Sequence, residues 1–556
     1  MIRDYVVKAV SGVLKEDVSD ILEVPKSFDM GDYALPCFSF SKKLRKNPVE
    51  IANDIAKKIK AGKEIEKVVA VGGYVNFFLN SGKLAERVIG DIKGKKEKYG
   101  SGKSGKGVTM VEFSQPNTHK AFHFGHVRGT SLGESLARIL EFSGEKAVRA
   151  NYSGDTGMHI AKWLWCYMKY HSHERIVNDE KWIAGIYVDA VKKLESNESF
   201  AEEVEEINRK LDSRNDEKLN KLWDMTRKFS ISSWDRIYHE LNTRFDVHYF
   251  ESEFEKSGKK ECKNLINKKI AKLSDGATIV DLKNKGLGVI VLLRKDGTVL
   301  YGAKDLALAR KKFRDYNLNR SIYVIGKAQD LHIHQVFEIL KMAGFKYVDS
   351  LEYVPISEIR FPWGKMSSRS GENVLYSEFR DKMIEYAVKE IEKRYKLSSK
   401  DAYDRALAIA TAAIKYSILK QDVNKNIIFN PKEEIKFEGD TGPYLLYSYA
   451  RALSILEKAK YKGKRFSAGK LGPEEKKLAV LFGRFPEIVE NSYRNLNPAL
   501  IAHYSYELAK TFSEFYHNCQ VIGSDSEQFR LELVSCFAQV LKNSLNLLGI
   551  DVLEKM

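Results

Sequence analysis

The spacing of apolar positions changes along the chain and divides it. Over residues 1–82 a helix-spaced start is followed by GDYALPCFSFSKKL, a helical NPVEIANDIAKKIKAG and a strand-like VVAVGGYVNFFL, which predicts a small α/β unit. Asn47 before Pro48 marks a helix start, because proline in a first turn gives up only an N–H that has no helical partner. KGKKEKYGSGKSGKG at 93–107 has no apolar period, and a linker is expected over 83–107. From 108 short apolar runs alternate with helical periods. VTMVEFS reads as a buried strand, GTSLGESLARILEFSG as a helix closed by Gly144, and KAVRANYS as a second strand. A helical, charged insertion is expected over about 160–290. TVLYG, SIYVIG and LEYVPI then resume the strands, with KDLALARKKF and DLHIHQVFEILKMAG as helices between them. This α/β alternation predicts a Rossmann-type, doubly wound parallel sheet over 108–375 whose ligands sit at the carboxyl ends of its strands. Over 376–556 long helical periods such as AYDRALAIATAAIKYSIL and ELVSCFAQVLKNSLNLLGI predict an all-helical bundle.

Length and composition agree with several folded domains. The chain has 556 residues, 43% hydrophobic and 30% charged, enough for about three or four cores and unlike a disordered chain. Lys and Arg number 92 against 75 Asp and Glu, a formal charge of +17 that favours a polyanionic partner through counterion release. Cys37, Cys166, Cys262, Cys519 and Cys536 form no CxxC pair, so neither a zinc finger nor a disulfide framework is expected. The first residues lack the apolar core of a signal peptide, and no run is long enough for a membrane span; a cytoplasmic location is expected.

The chemistry begins at HFGHVRG, 123–129, where a predicted strand meets a predicted helix. A helix N-terminus there presents free N–H groups and a positive dipole end to an anion, Gly125 lets a purine approach the backbone, and the imidazoles of His123 and His126 can donate to phosphate. Taken alone, the pair also reads as two surface histidines beside a helix cap. GSGKSGKG at 100–107 imitates a phosphate-binding loop, but Gly107 stands where the magnesium-binding hydroxyl is required, and a strand follows where a helix should. A second polar loop, GKMSSRSGEN at 364–373, offers Lys365 and Arg369 to a triphosphate at the end of the last predicted strand.

HFGH and the Lys365–Arg369 loop together resemble the HIGH and KMSKS motifs of class I aminoacyl-tRNA synthetases. EFSQPNTHKAFHFGHVRGT, NYSGDTGMHI, YGAKDLALA, YVIGKAQDLHIHQ, GDTGPYLLYSYAR and LLGIDVLEKM resemble, within that class, the arginyl-tRNA synthetases over nearly the whole chain. The resemblance implies ligation of L-arginine to tRNA(Arg) at the cost of ATP, with Mg2+ assisting; the unpaired cysteine spacing leads us to expect no zinc, and a monomeric enzyme is expected. It places substrate arginine against Glu112, Ser114, Asn117, His123, Tyr301, Asp305 and Gln329, and ATP against His123, Gly125, His126, Lys365, Met366 and Ser367. These residue types suit a guanidinium, a rigid fork of five donors that needs carboxylate and carbonyl-type acceptors. Asp305 alone also reads as an acid near a helix N-terminus. Lysine would leave that acceptor array unpaired, so no editing site is expected in the insertion.

The implied mechanism is in-line attack of the arginine carboxylate on the α-phosphate, then attack of the terminal ribose hydroxyl of tRNA on the adenylate. Ser368 stands where the general motif has its second lysine. Lys120, just before HFGH, is expected to supply the missing charge alongside His123, His126, Lys365 and Arg369. By the same resemblance the N-terminal unit reads the outer corner of tRNA through Tyr74 and Asn76, and the helical region meets the anticodon arm through Tyr444, Tyr447, Tyr449 and Arg451. Ordinary strand and helix cores are the alternatives for these aromatics. The rival functions are a tRNA-binding relative without catalysis, a small nucleotidyltransferase with HxGH chemistry, and a class I synthetase for another amino acid.

Overall fold

The computed structural model describes residues 3–25, 27–103, 105, 107–362, 364, 365, 375–392, 399–463 and 466–556, with positions 28, 364, 365 and 399 described in their backbone only. The N-terminal unit is an antiparallel sheet in the order Tyr33–Pro36, Tyr74–Leu79, Ile65–Val71. Helix Pro48–Lys58 lies on it and begins where the sequence predicts, with the Asn47 side chain accepting from the Val49 N–H at 2.9 Å.

The expected linker is largely a packed helix. Residues Ser81–Lys95 are helical, followed by a 3-10 turn at Lys96–Lys98. Leu84, Ala85, Val88, Ile89 and Ile92 form a buried stripe against helices Pro473–Arg494 and Glu527–Leu547. Lys93 pairs with Glu532 at 2.8 Å, and the Tyr99 hydroxyl donates to the Phe482 carbonyl at 2.9 Å. Glycine and lysine between the apolar positions give this helix the composition of a linker, but burial follows the period.

The central sheet has five parallel strands in the order Leu351–Ile356, Arg320–Gly326, Val108–Glu112, Lys146–Ser153, Val247–Phe250. Strand order therefore reverses between Val108–Glu112 and Arg320–Gly326, where a doubly wound sheet opens a crevice. Two expectations change here. Val247–Phe250 lies inside the stretch expected as one insertion, yet it is an edge strand of the main sheet; four residues are too few to show a period. TVLYG is not a sheet strand. Val299 makes an isolated bridge to Leu293 after the Asp296–Gly297 turn, and Tyr301 opens helix Tyr301–Tyr316. The rest of the insertion is helices Met158–Cys166, Glu180–Ser196, Phe200–Ser213, Glu217–Glu240 and Glu255–Asn267, then a small antiparallel sheet over Lys272–Ser274, Ala277–Asp281 and Val289–Leu293.

Among the described residues beyond 376 the regular elements are helices apart from Ile427–Ile428, which pairs with Ile359–Phe361. Helix Phe124–Phe142 joins the layers. It packs on the sheet through Phe113, which occupies the space that a Cβ at Gly133 would need, 2.0 Å from the Phe113 ring. It also packs on helices Ser399–Leu419 and Glu527–Leu547. Its Arg128 donates to the Ser357, Val423 and Lys425 carbonyls at 2.6, 3.1 and 2.9 Å, tying the last sheet strand to the helical region.

Candidate active site

The two histidines are built into the start of helix Phe124–Phe142. His123 is its N-cap, with Nδ1 accepting from the Gly125 N–H at 3.1 Å, while His126 Nδ1 accepts from the His123 N–H at 3.2 Å. The rings stack with centroids 3.8 Å apart. With both Nδ1 atoms accepting, each neutral ring carries its proton on Nε2, so the pair presents two N–H donors beside a helix N-terminus. Burial and the nearby Lys120 charge lower the His123 pKa to about 4; burial, His123 and Lys120 hold His126 well below the ordinary value. Gly125 is required for this arrangement, since a Cβ there would lie 2.9 Å from the His123 ring.

The chain just after the second loop meets the histidines. His123 bridges to Leu375, and the Tyr376 N–H donates to the Phe122 carbonyl at 3.0 Å. At the loop's start Gly364–Lys365 pairs in backbone with Arg360 and Phe361. Met366, Ser367 and Arg369 lie outside the described residues, as does the side chain of Lys365. Lys120 stands over the Tyr187 ring at 5.1 Å, reaching the insertion, and burial followed by the Lys162 charge lowers its pKa.

A cavity of about 620 Å³ opens at the carboxyl ends of the strands. Glu112, Asn117, Tyr301, Asp305 and Gln329 line it together, which brings five of the seven residues expected for arginine to one place. Asp305 is in the second turn of its helix, too deep for a first-turn dipole role, and accepts from His332 Nε2 at 2.5 Å. Tyr301 is 56% exposed at the cavity mouth, edge-on to His332 with centroids 4.4 Å apart. Ser114 is not a wall residue. It is buried, with its hydroxyl bonded to Tyr238 at 3.0 Å and accepting from Thr130 at 2.9 Å.

Several lining or supporting groups carry no signal in the sequence. Lys312 is fully buried and ion-paired with Glu112; burial opposes its charge, but Glu112 and Tyr323 outweigh that and raise its pKa. Lys304 reaches Glu251 at 3.2 Å on the cavity wall, and burial raises the Glu251 pKa despite that lysine. Asp155, fully buried, accepts from the Ser252 N–H at 2.9 Å and hydroxyl at 2.7 Å and from Arg227 at 2.8 Å. The loop before the histidines takes left-handed backbone at Ser114, Gln115 and His119, φ 76°, 53° and 62°. Such strain persists only where surroundings enforce it. Helix Glu217–Glu240 does so, as Ser230 accepts from the His119 N–H at 3.0 Å and Thr226 bonds its Nε2 at 2.7 Å.

His119 is fully buried, and burial followed by the Arg227 charge lowers its pKa to about 3. Below about pH 6.5 the unfolded chain takes up this proton and the native chain does not, so acid favours unfolding until about pH 3. Urea unfolding is expected to lose more in the parent than in a folded His119→Gln variant, by about 0.7 kcal/mol between pH 7 and 6 and about 1.2 kcal/mol between pH 6 and 5. Equal slopes would remove His119 from the acid response.

At the periphery, Tyr74 is 38% exposed and edge-on to Phe38. Asn76 is only 3% exposed in the central strand, so the base-edge contact expected for it is not open as the sheet stands. Tyr449 is likewise a core residue, packed on the inner face of helix Gly442–Lys458. Tyr444 and Tyr447 are half-buried, and the Arg451 guanidinium lies 4.6 Å from the Tyr447 ring and 5.3 Å from Tyr516, an exposed aromatic that the sequence reading passed over.

Three family models match. The model described as tRNA synthetases class I (R), catalytic domain, covers residues 89–431, the Arginyl tRNA synthetase N terminal domain covers 1–79, and the DALR anticodon binding domain covers 445–556. Arginine–tRNA ligase of Clostridium botulinum is 34% identical over 97% of this chain and 96% of its own. The chain belongs to the arginyl-tRNA synthetase family. The Treponema denticola arginine–tRNA ligase is 35% identical over 98% of this chain and 96% of its own. The solved structure of Thermus thermophilus arginyl-tRNA synthetase, covering 100% of both chains, superposes with a TM-score of 0.84 at 25% identity. This membership explains why the neutral histidine pair, the acid-lined cavity and a DALR-type helical region occur on one aminoacyl-tRNA synthetase chain.

Proposed function

We infer that this enzyme activates L-arginine with ATP to arginyl-adenylate and pyrophosphate, then transfers arginine to the terminal adenosine of tRNA(Arg). The observation that carries this reading is that the acid-lined cavity and the neutral histidine pair both follow the carboxyl end of strand Val108–Glu112, beside the switch point of the sheet, although His123 and His126 are not among the cavity's lining residues. Asp305 takes the guanidinium and Tyr301 flanks its plane. Asn117 and Gln329 hold the α-amino end, with Glu112 fixed by Lys312 beside them. The carboxylate then points toward the strand-end crevice, where His123 and His126 donate to the ATP phosphates. Lys120 adds positive charge there, and Lys365 and Arg369 of the second loop complete it. The chemistry is positioning and charge stabilisation, with no covalent enzyme intermediate.

Mg2+ enters with the nucleotide. Nitrogen donors of the HFGH turn suit phosphate oxygens rather than a hard cation, so the ion is held by the triphosphate itself. Tyr74 stacks on a base at the tRNA corner, and Arg451, Tyr447 and Tyr516 face the anticodon arm. A monomer is proposed as the working form. No helix among the described residues is long and apolar enough to cross a membrane; the cytoplasm is proposed as the place of work.

Lysine cannot satisfy the guanidinium acceptors, so selection needs no second hydrolytic site. ATP–pyrophosphate exchange with added tRNA is expected with arginine, and with lysine lower by about 10⁴-fold, as for sites built around a missing polar group. Exchange with another amino acid and none with arginine would overturn the assignment.

A further inference from the structure

The expectation of no zinc rests on cysteines without paired spacing, yet the fold brings one of them to a histidine and a carboxylate. Cys166 ends helix Met158–Cys166, His171 ends the π-helical turn Tyr167–His171, and Asp189 is on helix Glu180–Ser196. In an α-helix residues five apart point about 140° from one another. The wider π turn, a rare element frequent at functional sites, turns His171 back toward Cys166. Sγ of Cys166 lies 3.4 Å from Asp189 Oδ2, His171 Nε2 lies 2.9 Å from that oxygen, and the three donor atoms are within 4.8 Å of one another.

We propose that Cys166, His171 and Asp189 form a binding site for a zinc-class divalent cation, with one position left for water. Ligand atoms around tetrahedral zinc are about 3.3–3.5 Å apart, given bonds of about 2.0 Å to N or O and 2.3 Å to S. The two separations from Asp189 Oδ2, 3.4 and 2.9 Å, lie close to that shape, and the Cys166 and His171 donor atoms, within 4.8 Å of each other, draw together as the ion binds. His171 is oriented for the task. Its Nδ1 lies 2.6 Å from Glu174, which leaves Nε2 free to ligate in the carboxylate–histidine–metal arrangement typical of such sites. Glu174 is itself held by the Trp182 indole N–H at 2.9 Å. An imidazolium bridging two carboxylates, with the Cys166 S–H donating to Asp189 Oδ2, is the metal-free reading of the same geometry, and cobalt titration separates the two.

Lys193, 3.7 Å from Asp189, offsets part of the negative charge. The thiol proton leaves to solvent as the ion enters, since thiolate is the ligand form. His171 and Asp189 are partly exposed, giving the ion a path, whereas Cys166 is fully buried. The bound ion would pin two helices of the insertion at the far end of the helix whose first turn, Met158 and His159, lines the cavity.

The test is titration of the chelator-treated full-length protein with Co2+, read by absorption. A thiolate-to-cobalt charge-transfer band with the visible bands of four-coordinate cobalt is expected, bleached by Zn2+. Cys166→Ser should abolish the band and Cys262→Ser, at another buried thiol, should keep it. Glu174→Gln should weaken binding by about 10–100-fold, and His171→Gln by at least as much. Absence of a thiolate band in the folded parent, or its survival in Cys166→Ser, overturns the site. Should Cys166→Ser fail to fold, unchanged cobalt affinity in both His171→Gln and Glu174→Gln overturns it equally.

Discussion

Lys120→Ala is expected to slow arginyl-adenylate formation by about 10²- to 10³-fold, the cost of removing one preorganised stabilising group from a transition state. The loss should fall mainly on kcat, because developing charge on the pyrophosphate leaving group is stronger in the transition state than in bound ATP. The structure adds a reason to expect a large effect. His123 and His126 are neutral, with pKa values held down by burial and by Lys120 itself, so they can donate hydrogen bonds but bring no charge. In general class I enzymes a second loop lysine supplies part of that charge, and here Ser368 takes its place. Pyrophosphate exchange measured with saturating tRNA gives the comparison, and Lys120→Arg should recover part of the rate. Near-normal exchange in a folded Lys120→Ala protein would sink the assignment and leave Lys120 as a cation packed on Tyr187.

Asp305→Asn should lower kcat/KM for arginine by about 10²- to 10³-fold while leaving the KM for ATP nearly unchanged. Truncating one partner of a desolvated, hydrogen-bonded charge pair costs about 2–5 kcal/mol, much of it from stranding the other charge. Asparagine keeps the shape and one acceptor oxygen, so a residue serving only the helix would give a small change in thermal stability and none in arginine KM. Steady-state exchange at varied arginine, beside a melting curve, distinguishes the two. An unchanged arginine KM would move the guanidinium to Glu251, a further wall carboxylate beside Glu112, which Lys304 already engages at 3.2 Å.

Much of this architecture was legible because it repeats simple periods. The parallel strands Val108–Glu112, Lys146–Ser153, Arg320–Gly326 and Leu351–Ile356 are apolar runs bounded by glycine or polar turns, and the long C-terminal helices keep a 3.6-residue stripe. What escaped had other causes. The helix Ser81–Lys95 was hidden by its lysine and glycine content, and Val247–Phe250 was too short to declare a period. TVLYG has strand propensity but turns into a helix at the cavity edge. At the site, the resemblance supplied Tyr301, Asp305 and Gln329, and the fold brings them to one wall. Lys312, Glu251 and Lys304 come from distant positions on separate elements, and nothing local in sequence couples Lys312 to Glu112, 200 residues away (312 less 112). Asn76 and Tyr449 show the reverse error. A polar or aromatic residue beside an exposed neighbour reads as surface until the strand pleat or helix face is known.

The helix Phe124–Phe142 starts at the nucleotide histidines and is buried almost all round, with Ser135 donating to the Leu547 carbonyl at 2.8 Å and Arg138 donating to Asn546 at 2.7 Å. For protein engineering this makes the catalytic region a poor candidate for excision. Cutting the chain after residue 375 would strip apolar partners from the very helix that aims the imidazoles, so a minimal activating enzyme made from this chain has to carry, or replace, the C-terminal helices that cover that helix's far face.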